Sequence, residues 1–461
     1  MSTPEPQAAA AARLSPEARR AVGIVFLTLF IDLVSFSIIF PLFPNMLTYY
    51  REVEQGAGLF GWLYGATDRL TQLAGSPEGD WGVMVLFGGV LGALYSFLQF
   101  LFAPILGRVS DRIGRRPVLL IGVGGMAISH LLWVFAGRFW LFLLSRVIGG
   151  MMSANIATAT AVVADVTDAR SRPRGMALIG MAFGLGFIIG PALGGLSAMI
   201  DLTRYWPDLG AAGINPFSTP ALIATGLSLV NLLQLALRFR ESLPKGNGAP
   251  DTTQRTANLF VLLRLRGNAG TGGVNLTYFL FFAVFSGMEF TLTFLTVDRL
   301  GYAPRENGLM FLYVGLVLAL MQGSYVRVFA ARLGPKRMSG HGILLAAPGL
   351  LLIGLAAISA SGPLLFLGLG LLAAGVAQAA PCLTALASLY APPSDQGRVL
   401  GVFRSVGALA RAVGPLAACL LYWGLGAELA YVAAGIFMLA PLWIARRLPD
   451  PPAHDKNPTI P

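Results

Sequence analysis

Apolar runs long enough to cross a bilayer recur twelve times along this 461-residue chain, each giving way to a polar connection. A hydrocarbon core of about 30 Å asks for roughly 20 apolar residues per helix. Segments at 21–43, 82–105, 117–137, 139–164, 174–200 and 219–239 meet that length, as do 272–297, 305–330, 338–360, 362–390, 397–422 and 426–447. Backbone polar groups in hydrocarbon must be satisfied within the protein, so runs of this length fold as helices. The expected fold is an all-α membrane protein with twelve transmembrane helices in two pseudo-symmetric six-helix bundles. Only 12% of the residues are charged, against about 25% in a soluble domain, which excludes the soluble classes.

The net charge of +11 would suit a nucleic-acid binder, but the placement of the bases argues otherwise. With both termini assigned to the cytoplasm, segments on that side carry 24 Lys and Arg and the other side carries 6, while Arg146, Arg404 and Arg411 fall inside spans. That asymmetry follows the positive-inside rule and removes the need for a nucleic-acid partner. Cys382 and Cys419 both lie in apolar runs and read as buried small hydrophobes.

The expected organisation is a disordered cytoplasmic N-terminus over 1–20 and a six-helix bundle over 21–240. A cytoplasmic linker over 241–270, with a short basic interfacial helix around Leu259–Leu265, leads to a second bundle over 271–447 and a tail over 448–461. The connection 44–81 is unusually long; Leu59, Trp62, Leu63, Ala66, Leu70 and Leu73 mark one helical face, expected to lie in the membrane interface. The halves echo each other. Gly107-Arg-Val-Ser-Asp111-Arg112-Ile-Gly114-Arg115-Arg116 between segments 2 and 3 is answered by Arg332-Leu-Gly334-Pro-Lys336-Arg337 between segments 8 and 9. Internal repeats of this kind place a transporter's substrate cavity at the repeat interface.

The pattern G-x-x-x-D-R-x-G-R-R resembles the loop between helices 2 and 3 of the major facilitator superfamily. Segment 5, with Gly186-Phe-Ile-Ile-Gly190-Pro191-Ala-Leu-Gly194-Gly195, resembles the antiporter signature of the drug:proton antiporter branch, departing from it at Ala177. Asp32 followed by Pro41-Leu-Phe-Pro44 is similar to the tetracycline-efflux type. Further matching stretches, Val85–Gly89, Arg146–Gly150, Ser286–Leu295 and Arg404–Pro415, spread the resemblance over nearly the whole chain. It implies alternating-access transport, with proton coupling linked to Arg146.

From the residues themselves, Gly107 and Gly114 permit a tight turn, and Asp111 suits a helix N-terminus. Arg112 and Arg116 are expected to pair with an acid such as Asp165, latching the bundles on the cytoplasmic side. Glycines 186, 190 and 194 form one stripe for close helix approach, and Pro191 kinks its helix.

Charges within a membrane mark function, and here they are Asp32, Arg146, Glu289, Arg404 and Arg411. Either carboxylate can carry the coupling proton, or be permanently paired with an arginine. Arg404 and Arg411 are seven apart and share a face, with Arg404 also near enough the cytoplasmic end to snorkel. Three arginines against two carboxylates favour an anionic cargo, a small organic anion or amphipathic drug. A cationic or zwitterionic drug bound by Asp32 and Glu289, or a non-transporting receptor of the same fold, are the alternatives. No P-loop, metal-ligand cluster or nucleophile constellation is present in the sequence. A monomer is expected, with no cofactor, no metal and no enzymatic activity.

Overall fold

A computed structural model describes residues 15–74, 79–153, 155–167, 172–243, 269–391 and 396–450. Described residues in regular structure are helical, and eleven helices are long and apolar enough to cross a membrane. The first crossing joins α1 (Pro16–Ser37), a 3-10 turn at Phe40–Leu42 and α2 (Phe43–Glu54). Then follow α3 (Gly58–Ala74), α4 (Gly79–Ile113), α5 (Arg115–Val134), α6 (Phe139–Met152), α7 (Asn155–Val166) and α8 (Arg172–Ser197). A short α9 (Leu202–Tyr205) precedes α10 (Ser218–Arg238). The second half comprises α11 (Ala269–Leu300), α12 (Pro304–Met321), α13 (Arg327–Ser359), α14 (Gly362–Leu389), α15 (Gln396–Leu425), α16 (Ala427–Phe437) and α17 (Leu439–Arg447). The twelfth crossing is the broken pair α6 and α7. Below, the terminal face is the one carrying Ser15 and Asp450, the first and last described residues.

Three local features differ from the sequence reading. Helix α1 starts inside the stretch expected to be disordered, because Ser15 accepts the Ala18 amide at 3.1 Å and Pro16 occupies the first turn; both are helix-start signals. The segment-4 crossing is two helices rather than one, with Gln99 Nε2 donating to the Ser153 carbonyl at the break, 3.2 Å away. The crossing that begins with α12 ends in a π turn at Gln322–Val326 before α13. The expected linker helix at Leu259–Leu265 lies outside the described residues.

The repeat is visible in the backbone. Gly114 (φ 104°, ψ 157°) and Gly334 (φ 76°, ψ 155°) adopt the same left-handed turn at equivalent places. Elsewhere glycine serves contact between the halves. A methyl group at Gly89 would lie 2.5 Å from Cys419 Cβ, and one at Gly195 would lie 2.5 Å from Gly308 Cα. Phe43 of the first half meets Phe290 and Phe294 of the second at 5.3 and 6.4 Å between ring centres. These contacts draw the halves together on the side away from the termini.

Helix α3 lies over that same side. Phe60 is buried against Phe87 and Phe139, while Thr71 Oγ1 accepts from Trp423 Nε1 of the other half at 2.9 Å. Leu59, Trp62, Leu70 and Leu73 face outward from the protein, the orientation an interfacial helix requires.

Candidate functional site

Between the halves lies a narrow chamber in two parts. Phe36, Tyr95, Phe187 and Arg411 line both. The Phe36 and Tyr95 rings stack at 4.7 Å, and Phe187 stands 6.1 Å from Phe36, so the aromatic trio pinches the space. The upper part adds Arg146 and Glu289, and the lower adds Asp32, Gln99 and Ser153. About 60 Å³ is open above and about 30 Å³ below. That holds water but not a drug, whose sites run to roughly 300–1,000 Å³.

Arg146 projects from α6 and is only 5% exposed. Its Nε donates to Ser145 Oγ at 3.3 Å, and its guanidinium lies 5.1 Å from the Trp133 ring and 5.5 Å from Phe142. Aromatic faces attract a cation, yet they leave Nη2 without a hydrogen-bond partner. A buried guanidinium with an unused donor is costly unless an acceptor arrives. Glu289, on α11, is 8% exposed and lies within the electrostatic reach of Arg411 on α15. Arg411 also lies 5.8 Å from the Phe282 ring. Across both parts the described chamber has two arginines, Arg146 and Arg411, against two carboxylates, Asp32 and Glu289, with both arginines on the upper part. The Arg404 side chain lies outside the described residues, so the expected third arginine adds nothing to this count.

Asp32 is held differently. Asn231 Nδ2 donates to its Oδ1 at 2.9 Å and Asn155 Nδ2 to its Oδ2 at 3.3 Å. Gln234 supports the clamp by donating to Asn231 Oδ1 at 3.1 Å and Thr28 Oγ1 at 2.9 Å. The sequence offers a permanent arginine partner as the alternative to proton carriage; among the described residues Asp32 is held by carboxamides rather than by a guanidinium. The break between α6 and α7 puts Asn155 in the first turn of α7. Gly122 on α5 leaves room for its side chain, since a methyl group there would fall within 2.7 Å of Asn155 Cγ.

At the terminal face the basic loop forms a cluster within the first half. The guanidinium on Asp165 belongs to Arg115, not to Arg112 or Arg116. Arg115 Nε donates to Asp165 at 3.0 Å, and its Nη1 reaches Asp111 and Ser110 Oγ at 2.6 Å each. The register explains the correction. Gly114 turns the chain so that Arg115 opens α5 four residues beyond Asp111, with its buried side chain within reach of both acids. Arg112 is exposed, and Arg116 Nη2 instead donates to the Ala236 carbonyl at 2.8 Å. Gly107 is half-buried in the last turns of α4, where Ser110 Oγ donates to its carbonyl.

Glu241, just past α10, completes the cluster. Its carboxylate accepts the amides of Arg115 at 2.9 Å, Arg116 at 3.1 Å, and Ser242 and Leu243 at 3.0 Å each. Burial opposes the charge, but these amides outweigh it and hold the carboxyl below its ordinary range. A methyl group at Gly114 would lie 2.5 Å from Glu241 Oε2, so that position needs glycine for space as well as for φ. Every described member of this cluster comes from the first half or from the residues just past α10. The expected latch between bundles is here a tie among α4, α5, α7 and the end of α10.

The segment-5 stripe packs on α1. A methyl group at Gly186 would lie 2.5 Å from Leu33 Cβ and one at Gly190 2.5 Å from the Val34 carbonyl, while Gly194 abuts the Ile38 carbonyl. Ser37 Oγ donates across to the Gly186 carbonyl at 3.0 Å. Pro191 is buried within α8, and Gly195 meets Gly308 of the second half. The four glycines of the stripe thus sit at close helix contacts.

Asn231, Gln234, Arg115 and Glu241 are the participants that sequence reasoning missed. Asn231 and Gln234 carried a usable signal as polar residues inside an apolar run. Arg115 stands four residues after Asp111, but the Gly114 turn separates them into two helices, so the helical spacing rule did not foretell the pair.

Comparison with known proteins accords with this geometry. The sequence matches the family model described as Major Facilitator Superfamily over residues 25–330 and 325–461. It is 37% identical over 445 residues to the Homo sapiens "Major facilitator superfamily domain-containing protein 10", covering 95% of this chain and 94% of that one. It is 33% identical over 331 residues to the class D tetracycline resistance protein of Salmonella ordonez, covering 71% of this chain and 78% of that one. The crystal structure of the human organic anion transporter MFSD10 (TETRAN) superposes with a TM-score of 0.74 at 35% identity, over 94% of this chain and 100% of that one. A D-xylose–proton symporter, at 17% identity and a TM-score of 0.68 over 94% of this chain and 98% of that one, shares the fold.

Proposed function

The chain belongs to the Major Facilitator Superfamily and is a secondary transporter, and we propose that it moves small organic anions or amphipathic drugs by alternating access through the central chamber. The observation that carries this reading is Arg146, a buried guanidinium with an unused donor on the chamber wall, backed by Arg411 and aromatic rings. An anionic cargo would supply the acceptor that Arg146 lacks, and its apolar body would lie against Phe36, Tyr95 and Phe187. The likeness to a protein described as an organic anion transporter supports the same cargo. Asp32 and Glu289 are the proton carriers in this reading: each sits on the chamber, one clamped by amides that can follow its protonation, the other beside Arg411. The Arg115 cluster stiffens the first bundle at its terminal face during the cycle. Both termini lie in the cytoplasm, and the protein works as a monomer, without nucleic acid and without catalysing a covalent reaction.

Flux into liposomes carrying the purified protein, under an imposed pH gradient, tests this. An anionic dye accumulates in the wild type. Uptake falls by about 10- to 100-fold in Arg146→Gln, the worth of one charge-assisted hydrogen bond, and falls in Arg411→Ala, while the surface change Arg305→Ala leaves it intact. The second reading, export of cationic or zwitterionic drugs, draws on the two carboxylates and on the likeness to a tetracycline resistance protein. It predicts the opposite outcome, with a lipophilic cation transported and its flux lost in Asp32→Asn.

A further inference from the structure

Outside the transport path, a groove of about 540 Å³ opens on the membrane-facing side between α13 and α16–α17. Its floor is set where the helices touch. A methyl group at Gly435 would lie 2.9 Å from Leu351 and 3.1 Å from the Ala347 carbonyl. Pro348 lies within α13 and the break at Met438 lies between α16 and α17, one on each side of the groove. The walls are apolar and open outward: Leu344 is 47% exposed, Ile436 58% and Leu439 54%.

The rim is basic. On α13, Arg337 stands four residues before His341, a groove residue, so the two share a face. On α17, Leu439, Trp443 and Arg447 recur every four residues, and the Arg447 guanidinium lies 3.8 Å from the Trp443 ring. Arg337, Arg446 and Arg447 are exposed, and Lys336 is offset by Asp450 at 2.9 Å. The described rim therefore carries an excess of three positive charges. From Arg337 to Leu351 is fourteen residues, about 21 Å at 1.5 Å per residue. One leaflet offers about 15 Å of hydrocarbon plus its headgroup layer, so the groove spans one lipid from headgroup to chain end.

We infer that this groove is a binding site for an acidic phospholipid of the leaflet at the terminal face, its phosphate on Arg337 and Arg447 and one acyl chain between α13 and α16. Basic pockets between membrane helices recognise acidic headgroups through charge, at about 1 kcal/mol per Lys or Arg. The apolar groove gives retention, and the arginines give selectivity over zwitterionic lipid.

The test uses the purified full-length protein in detergent, titrated with phosphatidylglycerol or phosphatidylcholine and read by native mass spectrometry and thermal unfolding. Phosphatidylglycerol is expected to stay bound through delipidation and raise the unfolding temperature, and phosphatidylcholine to do neither. The double change Arg337→Ala/Arg447→Ala weakens the acidic lipid by about 30-fold, the equivalent of two such charges. Leu344→Trp, which fills the groove and keeps the charges, displaces it as well, whereas Arg305→Ala has no effect. Equal retention of the two lipids, unchanged binding in the double variant, or displacement by soluble glycerol phosphate would each overturn the assignment. None of these readouts depends on transport.

Discussion

Trp423 Nε1 donates to Thr71 Oγ1 across the seam between the two halves, at 2.9 Å. Thr71 belongs to α3, whose other end is anchored by Phe60 in the first half. This helix is thus a strap laid over the closed side of the transporter, and alternating access requires its hold on α15 to loosen.

Loss of that bond should favour opening. A hydrogen bond is worth about 1 kcal/mol net, so Trp423→Phe is expected to raise the open population by about 5-fold. Cys419 sits in the same seam, buried against Gly89, and reports the change. In a Cys382→Ser background its maleimide labelling should quicken by that factor, and Thr71→Val should add little to the Trp423 variant.

Arg115 should matter where Arg112 does not. Its side chain is 7% exposed and holds Asp111 and Asp165 together. Removing one member of a buried ion cluster costs about 3–5 kcal/mol, so Arg115→Ala should lower the detergent unfolding temperature sharply. Arg112→Ala, at an exposed position, should stay within about 0.5 kcal/mol of wild type.

Glu241 gives a pH signature. Its folded-state pKa is depressed, so the stability it contributes is fully present above the unfolded value of about 4.3 and is lost as pH falls through the folded value. Glu241→Gln should cost about 1 kcal/mol at pH 7, as loss of a helix cap does. The gap in unfolding temperature between variant and wild type should persist at pH 5 and close only as pH falls below the ordinary carboxylate value.

The glycine stripe predicts a contrast within one helix. Gly190→Ala puts a methyl group against the Val34 carbonyl, and overpacking of this kind costs about 1–3 kcal/mol. Gly184→Ala meets nothing within 4 Å and should be neutral or slightly stabilising in the same thermal-unfolding assay.

The fold was legible because hydrocarbon imposes one rule on every segment, that of a long apolar helix, and the sequence writes that rule twelve times. Asp32, Arg146, Glu289 and Arg411 were legible for the same reason, since an ionised group in such a run is conspicuous by cost alone. Partner choice was not. Arg112, Arg115 and Arg116 are interchangeable in composition, and which one meets Asp165 depends on the rotation of α5 after the Gly114 turn. The amide clamp on Asp32 joins three crossings, and it exists only once α1, α7 and α10 are packed side by side.

Charge, hydropathy and the repeated glycine turns are local properties, so the sequence alone determined a two-fold helical membrane transporter with ionisable groups in its middle. Tertiary packing decided what those groups touch: carboxamides on Asp32, aromatic faces and an unused donor at Arg146, and a cluster kept within one bundle around Arg115. Contacts of a few ångströms between distant segments depend on helix rotation and depth, and neither quantity is written in any single run of residues.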